Sequence, residues 1–129
     1  MKQEIEISIA DAIKRDGKAP LYGIFFDFDL ATLKPESDPE LKRLADYLNS
    51  NPAVKVFIVG HTDYTGDFNH NMDLSKSRAK AVMEYLISKL KVNPTRLSAE
   101  GVGPLSPVTS NDAEAGRKLN RRVEVVLRK

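Results

Sequence analysis

Cysteine is absent from the 129 residues, which removes disulfides and thiolate metal sites without naming a compartment. No apolar run approaches the ~18 residues needed to span a bilayer. The opening Met-Lys-Gln-Glu-Ile-Glu is too polar for a signal peptide. The sequence therefore reads either as cytoplasmic or as a mature or excised piece whose export signal has been removed. No Gly-rich phosphate loop follows any strand-like run, no Gly-x-Ser-x-Gly elbow is present, and no His-x-x-x-His frame occurs. Neither sign of charge is in excess: twenty Lys and Arg against eighteen Asp and Glu leave +2, which points to no partner.

What is there is ordinary globular material, 41% hydrophobic and 29% charged. A chain of this length is one domain, burying roughly two-thirds of its unfolded surface. The charge is unevenly spread. Residues 117–129 carry Arg117, Lys118, Arg121, Arg122, Arg128 and Lys129 against one acid, Glu124. A nucleic-acid surface, a rim of cations around an anionic ligand, and plain solvated charge all fit that end.

Ile5, Ile9 and Ile13, with Gly17 as a stop, predict a short amphipathic helix over 3–15, although alternation at Ile5, Ile7 and Ile9 also fits a strand. Leu21–Phe26, after Pro20, reads as a buried strand closed by Asp27-Phe28-Asp29. Around Pro39, Ser37 or Asp38 can cap a helix whose apolar face is Leu41, Leu44, Ala45 and Leu48. Val54–Val59 is near-continuously apolar, as a strand covered on both faces is. The longest helix is read from Asp73 as N-cap, with Leu74, Ala79, Val82, Met83, Leu86, Ile87 and Leu90 inward, until Asn93-Pro94. A short strand over 96–101, a short helix over 112–119 and a last strand over 121–127 follow, with Val123, Val125 and Leu127 on one face. The order is helix and strand in alternation, an α/β sandwich of one sheet with helices packed against it. Residues 1–20 are read as a helical extension and 21–129 as the domain.

The stretch 61–78 concentrates the chemistry. Asp63 lies where the apolar strand gives out, and Arg78 lies in the second turn of the predicted helix. A carboxylate and a guanidinium on two rigid elements can face one cavity and hold a ligand with an ammonium and a carboxylate on one carbon. Thr62, Thr65 or Asn71 could complete the coordination. The same spacing fits a plain structural arrangement, with Asp63 capping the loop and Arg78 bridging helix to loop. His61, Asp63, Asp67, His70 and Asp73 crowd the loop as a metal reading requires, without a recognised ligand frame. His61 and Asp63 with Ser75 or Ser77, or Asp27 with Asp29, are the residues a hydrolase would use. Tyr64 and Phe68 could stack on a ligand, with packing as the other role for Phe68.

Together these residues resemble the OmpA-like peptidoglycan-binding domain, the periplasmic module of outer-membrane porin-type proteins, peptidoglycan-associated lipoproteins and flagellar stator proteins. The resemblance rests on Phe26-Asp27-Phe28-Asp29, Leu33-Lys34-Pro35-Glu36-Ser37, Val59-Gly60-His61-Thr62-Asp63, Thr65-Gly66, Asn71, Leu74-Ser75 and Arg78-Ala79. It continues in Arg96-Leu97, Gly101, Gly103, Pro107, Ser110-Asn111, Gly116-Arg117 and Asn120-Arg121-Arg122-Val123-Glu124. Residues 22–129 are covered; the predicted first helix lies outside the common core.

The resemblance implies a β-α-β-α-β fold with a mixed four-stranded sheet. It implies noncovalent, non-catalytic binding of peptidoglycan, with no cofactor, no metal and no nucleic acid. The ligand group is the meso-diaminopimelate of the peptide stem, whose tip is the zwitterion described above. The family's main pair falls on Asp63 and Arg78. Secondary contacts fall on Thr65, Asn71 and Arg121, with Asp29 and Arg122 next. Tyr64 stands where the family often has asparagine, Asp29 stands where some members have an asparagine near the ligand, and both could shift affinity. The resemblance also implies a periplasmic place, outer-membrane attachment through a segment not in this sequence, and, from the stator relatives, a homodimer. The rival readings are a cell-wall hydrolase using Asp27, Asp29 or His61, and a protein–protein module of an envelope complex.

Overall fold

A computed structural model describes residues 8–128. Helix α1 (Ile9–Asp16) precedes strand β1 (Lys18–Leu21), helix α2 (Asp38–Ser50) and strand β2 (Val56–His61). Helix α3 (Phe68–Ser88), strand β3 (Leu97–Gly101), helix α4 (Glu114–Asn120) and strand β4 (Arg122–Leu127) complete the chain. The strands form one mixed sheet in the order β1-β4-β2-β3, with β4 antiparallel to both neighbours and β2 parallel to β3. The alternation of helix and strand is the one the sequence predicts.

Local chemistry explains most boundaries. Ser8 caps α1 by accepting from the Asp11 amide, and Gly17, at φ 76°, ends it by donating to the Ile13 carbonyl. Ile9, Ala12 and Ile13 are buried in the common core. The predicted residues 3–7 of this helix lie outside the described residues. Helix α2 buries Leu41, Leu44, Ala45 and Leu48, as its spacing requires.

Four expectations are corrected. Sheet pairing ends at Leu21, opposite Val123, so the 21–26 run is not a buried strand. Among the described residues the rest of that run makes one isolated bridge, Phe26 to Leu33. The Ser37 hydroxyl takes both the N–H (2.7 Å) and the carbonyl (3.0 Å) of Phe25, so that backbone is satisfied without a sheet neighbour. That leaves Ser37 unable to cap α2 through its side chain, the second correction. Third, α3 starts at Phe68, capped by Asp67 through the His70 amide (2.8 Å), well before Asp73. Arg78 consequently sits in the third turn. Fourth, β2 is fully covered on one face only: Val56 and Ile58 are fully buried, whereas Phe57 and Val59 are half-buried.

The contact of α3 with the sheet positions the site. A Cβ on Gly60 would lie 2.1 Å from the Ser75 carbonyl oxygen, and one on Gly101 2.3 Å from the Lys76 amide nitrogen. Backbone of α3 thus lies directly on backbone at the ends of β2 and β3, with no room for a side chain between. Buried Ser75 completes the contact by donating to the Met72 carbonyl and accepting from the Gly103 amide (2.9 Å each).

Candidate ligand-binding site

Past the end of β2 opens a cleft of ≈ 1360 Å³, walled by the 22–36 segment, α3 and α4, and lined by both Asp63 and Arg78. Strand β2 delivers His61 to the cleft, and the chain leaves it through Thr62 and Asp63, all three buried. Asp63 Oδ1 accepts from the Thr65 amide at 2.8 Å, and its Oδ2 accepts from Arg121 Nη1 at 2.7 Å. Arg121 Nη2 donates to Glu114 Oε2, also at 2.7 Å. Burial pushes the Asp63 carboxyl up, but the Arg121 and Thr65 bonds outweigh it, and the net direction is downward. Asp63 is an anion with one guanidinium already beside it.

Arg78 is placed differently. Its Nε donates to the Leu30 carbonyl (2.8 Å) and its Nη2 to the Asp27 carbonyl (3.3 Å), and its guanidinium lies 4.8 Å from the Phe26 ring centroid. Among the described residues no carboxylate lies within ion-pair distance of it. Burial disfavours its charge, nearby Asp29 supports that charge, and Arg121 opposes it; the net direction is downward, although a guanidinium stays protonated. It is a half-buried cation with no ion-pair partner among the described residues.

The other predicted site residues divide into three groups. Thr65 and Asn71 hold the Asp63 loop: Asn71, buried in the first turn of α3, donates from Nδ2 to the Thr65 carbonyl at 2.9 Å. Asp29 lies not on a strand but in a turn at φ 58°, with Oδ1 2.8 Å from His70 Nε2. Arg122 lines the cleft, yet its nitrogens are taken by Glu124 Oε2 (2.8 Å) and the Asn120 and Ser106 carbonyls (3.0 Å each). Adjacent arginines thus do different work: Arg121 faces Asp63 and Arg122 serves a buried network. The crowded loop of the metal reading also disperses, since Asp67 caps α3, His70 meets Asp29 and His61 faces Glu124. Among the described residues no three His, Asp or Glu side chains converge as metal ligands do.

Two features escaped the sequence reading. Glu114 anchors the far side of Arg121. Glu124, buried on β4, meets Arg122, with Lys18 Nζ at 3.7 Å and His61 Nε2 at 3.5 Å. The latter distance is too long for a full hydrogen bond. Alternation along β4 hinted at the Arg122–Glu124 pair, two residues apart on one face. Burial pushes the Glu124 carboxyl up; His61 and, at shorter range, Arg122 bring it down to about 2.

That shift has a sign. In the unfolded chain this carboxyl titrates near 4.5, so below that pH the unfolded state binds the extra proton and stability falls until the folded group also titrates, near 2. The full contribution, about 3 kcal/mol, is present above about pH 5 and gone near pH 2. Urea unfolding across that window is expected to show a steeper acid loss in the parent than in Glu124→Gln. Equal slopes would refute the coupling.

Residues 25–121 match the model of the OmpA family. The chain belongs to the OmpA family. Outer membrane porin F of Pseudomonas fluorescens is 46% identical over 99 residues, 77% of this chain and 30% of the porin. The peptidoglycan-associated lipoprotein of Burkholderia pseudomallei superposes with a TM-score of 0.72 at 33% identity, over 81% of this chain and 88% of that one. The cell wall anchor of the T6SS from Pseudomonas aeruginosa gives a TM-score of 0.72 at 29% identity, covering 94% of each chain. Outer membrane porin F of Pseudomonas fluorescens and outer membrane protein A of Bordetella avium are longer proteins, of which this OmpA-family chain spans 30% and 52%. The matched segment contains Asp29, Asp63, Thr65, Asn71, Arg78 and Arg121, and stops one residue short of Arg122.

Proposed function

We propose that this OmpA-family domain binds peptidoglycan noncovalently and without catalysis, through the meso-diaminopimelate of the peptide stem. In this reading it ties the outer membrane, or an envelope complex, to the cell wall from the periplasmic side. The observation that carries the reading is Arg78: a half-buried guanidinium at a cleft, held by two carbonyls and a ring but, among the described residues, by no carboxylate. A ligand carboxylate supplies the missing counter-anion. Asp63, lining the same cleft on the other element, accepts the ammonium alongside Arg121. Thr65 and Asn71 keep Asp63 aimed, Asp29 borders Arg78, and Arg122 supports the β4 wall. The relatives favour the polymer as ligand, since one is named a peptidoglycan-associated lipoprotein and another a cell wall anchor.

The hydrolase alternative is less well supported by the same geometry. Asp29 is engaged by His70 and His61 faces Glu124, so each is paired with another group and not with the other. Calorimetric titration with a stem peptide containing diaminopimelate, beside the same peptide containing lysine, tests the binding. The lysine peptide lacks only the carboxylate, and it is expected to bind about 30-fold or more weakly. Equal affinities would remove the role of Arg78, and no binding of either by the folded protein would remove the ligand.

A further inference from the structure

The run that leaves the sheet after Leu21 holds Arg78 through Asp27 and Phe26, but its Tyr22, Phe25 and Phe28 side chains have no part in that and form a wall of the same cleft. Tyr22, Phe25 and Phe28 recur every third residue, all line the cleft, and are 42%, 47% and 95% exposed. Large aromatic side chains left in water lose the stabilisation that burial would bring. Here the backbone beneath them is held firmly. Ser37 brackets Phe25, the Tyr22 hydroxyl donates to the Leu119 carbonyl (3.1 Å), and Arg78 and His70 tether the turn that carries Phe28. Exposed rings on a held backbone lose little conformational freedom when a ligand arrives.

The cleft, at ≈ 1360 Å³, exceeds the ~300–1,000 Å³ of a pocket for a drug-sized ligand. The tip of one amino acid leaves most of it unfilled. We infer that the Tyr22–Phe25–Phe28 wall is a second subsite that takes an N-acetylated pyranose of the glycan strand; this rests on the peptidoglycan reading above. A pyranose has a flat face of C–H groups rimmed by hydroxyl and acetamido groups. Aromatic rings match that face, and the cleft supplies a polar rim in Lys34, Glu36 and Lys118. Mixed acidic and basic groups beside the rings suit a neutral, hydroxyl-rich ligand better than an anionic lipid surface, which calls for cations alone. Continuity of the wall with the Asp63–Arg78 end lets one strand of polymer place its peptide and its sugar in one cleft.

The test is calorimetry of the parent and of Phe28→Ala against two ligands, the bare diaminopimelate stem peptide and the same peptide on its N-acetylglucosaminyl–N-acetylmuramyl disaccharide. Phe28 is almost wholly exposed, so its truncation leaves folding intact. The parent is expected to bind the disaccharide form about 3- to 10-fold more tightly than the bare peptide, and Phe28→Ala to lose that advantage while binding the bare peptide as the parent does. Equal binding of the two ligands by the parent overturns the sugar subsite and leaves the peptide site standing. A disaccharide advantage that survives both Phe28→Ala and Tyr22→Ala overturns it too. If neither ligand binds, the peptidoglycan reading falls and this inference with it.

Discussion

Replacing Arg78 with alanine is expected to weaken binding of the diaminopimelate peptide by about 3 kcal/mol, roughly a hundredfold in Kd. The guanidinium is held between the Leu30 and Asp27 carbonyls and over Phe26, so its fork is aimed before the ligand arrives. Arg78→Lys retains charge without the fork and should recover only part of the loss. A second comparison separates this role from damage to the 27–30 turn, which Arg78 also holds. In Arg78→Ala the diaminopimelate and lysine peptides should bind equally, because the carboxylate that distinguishes them has lost its partner. If the variant still preferred diaminopimelate by the parent's margin, the carboxylate would be bound elsewhere.

Asp63→Asn is expected to have an effect of similar size for the opposite reason. The amide can still accept from the Thr65 N–H but no longer offers an anion to the ammonium. Arg121 then keeps only Glu114, and with one anion fewer beside it its charge repels the ammonium more strongly. Because Arg121 already occupies Asp63 Oδ2 at 2.7 Å, the ligand ammonium must share that carboxylate. Arg121→Ala should consequently weaken binding less than Asp63→Asn does.

The largest structural effect is expected at Gly60. An alanine there places its methyl 2.1 Å from the Ser75 carbonyl oxygen, and the obstacle is helix backbone rather than a side chain that could rotate away. Helix α3 must lift from the sheet. A loss of about 3 kcal/mol or more follows, about 10 °C in Tm for a domain of this size. Binding should fall as well, measured at a temperature where the variant is folded, since β2 leads into Asp63 and α3 carries Arg78. Gly101→Ala meets the Lys76 amide nitrogen at 2.3 Å and is expected to behave alike. Thermal unfolding followed by circular dichroism decides the point: a Gly60→Ala protein melting with the parent would show that the contact yields easily.

Much of this molecule is legible along the chain because the signals are local. The apolar periodicity of Leu41, Leu44, Ala45 and Leu48 needs only one buried helix face to produce it, and Ala79, Val82 and Leu86 repeat the lesson in α3. Gly17 stops α1 through its own backbone conformation. Asp63 at a strand end and Arg78 on the next helix could be read as facing one cleft because a strand–loop–helix unit brings those positions together. The helix boundary was less legible: Asp67 and Asp73 are both chemically able to cap, and nothing nearby says which one does.

What the linear pattern could not carry depends on partners distant in the chain. Arg121 and Arg122 are adjacent and chemically identical, yet one reaches Asp63, 58 positions away, and the other turns to Glu124. The strand pleat sends successive side chains to opposite sides, and only the packed sheet determines which side holds the cleft. The apolar weight of Leu21–Phe26 spoke for a strand, and β1 ends at its first residue. A hydroxyl at Ser37 satisfies the Phe25 backbone in place of a sheet neighbour, and the aromatics are left facing open space. Hydrophobicity and periodicity settle which residues can be buried. Which of them are buried, and which charge finds which partner, is settled when the elements close on one another, because those energies come from contacts between distant positions.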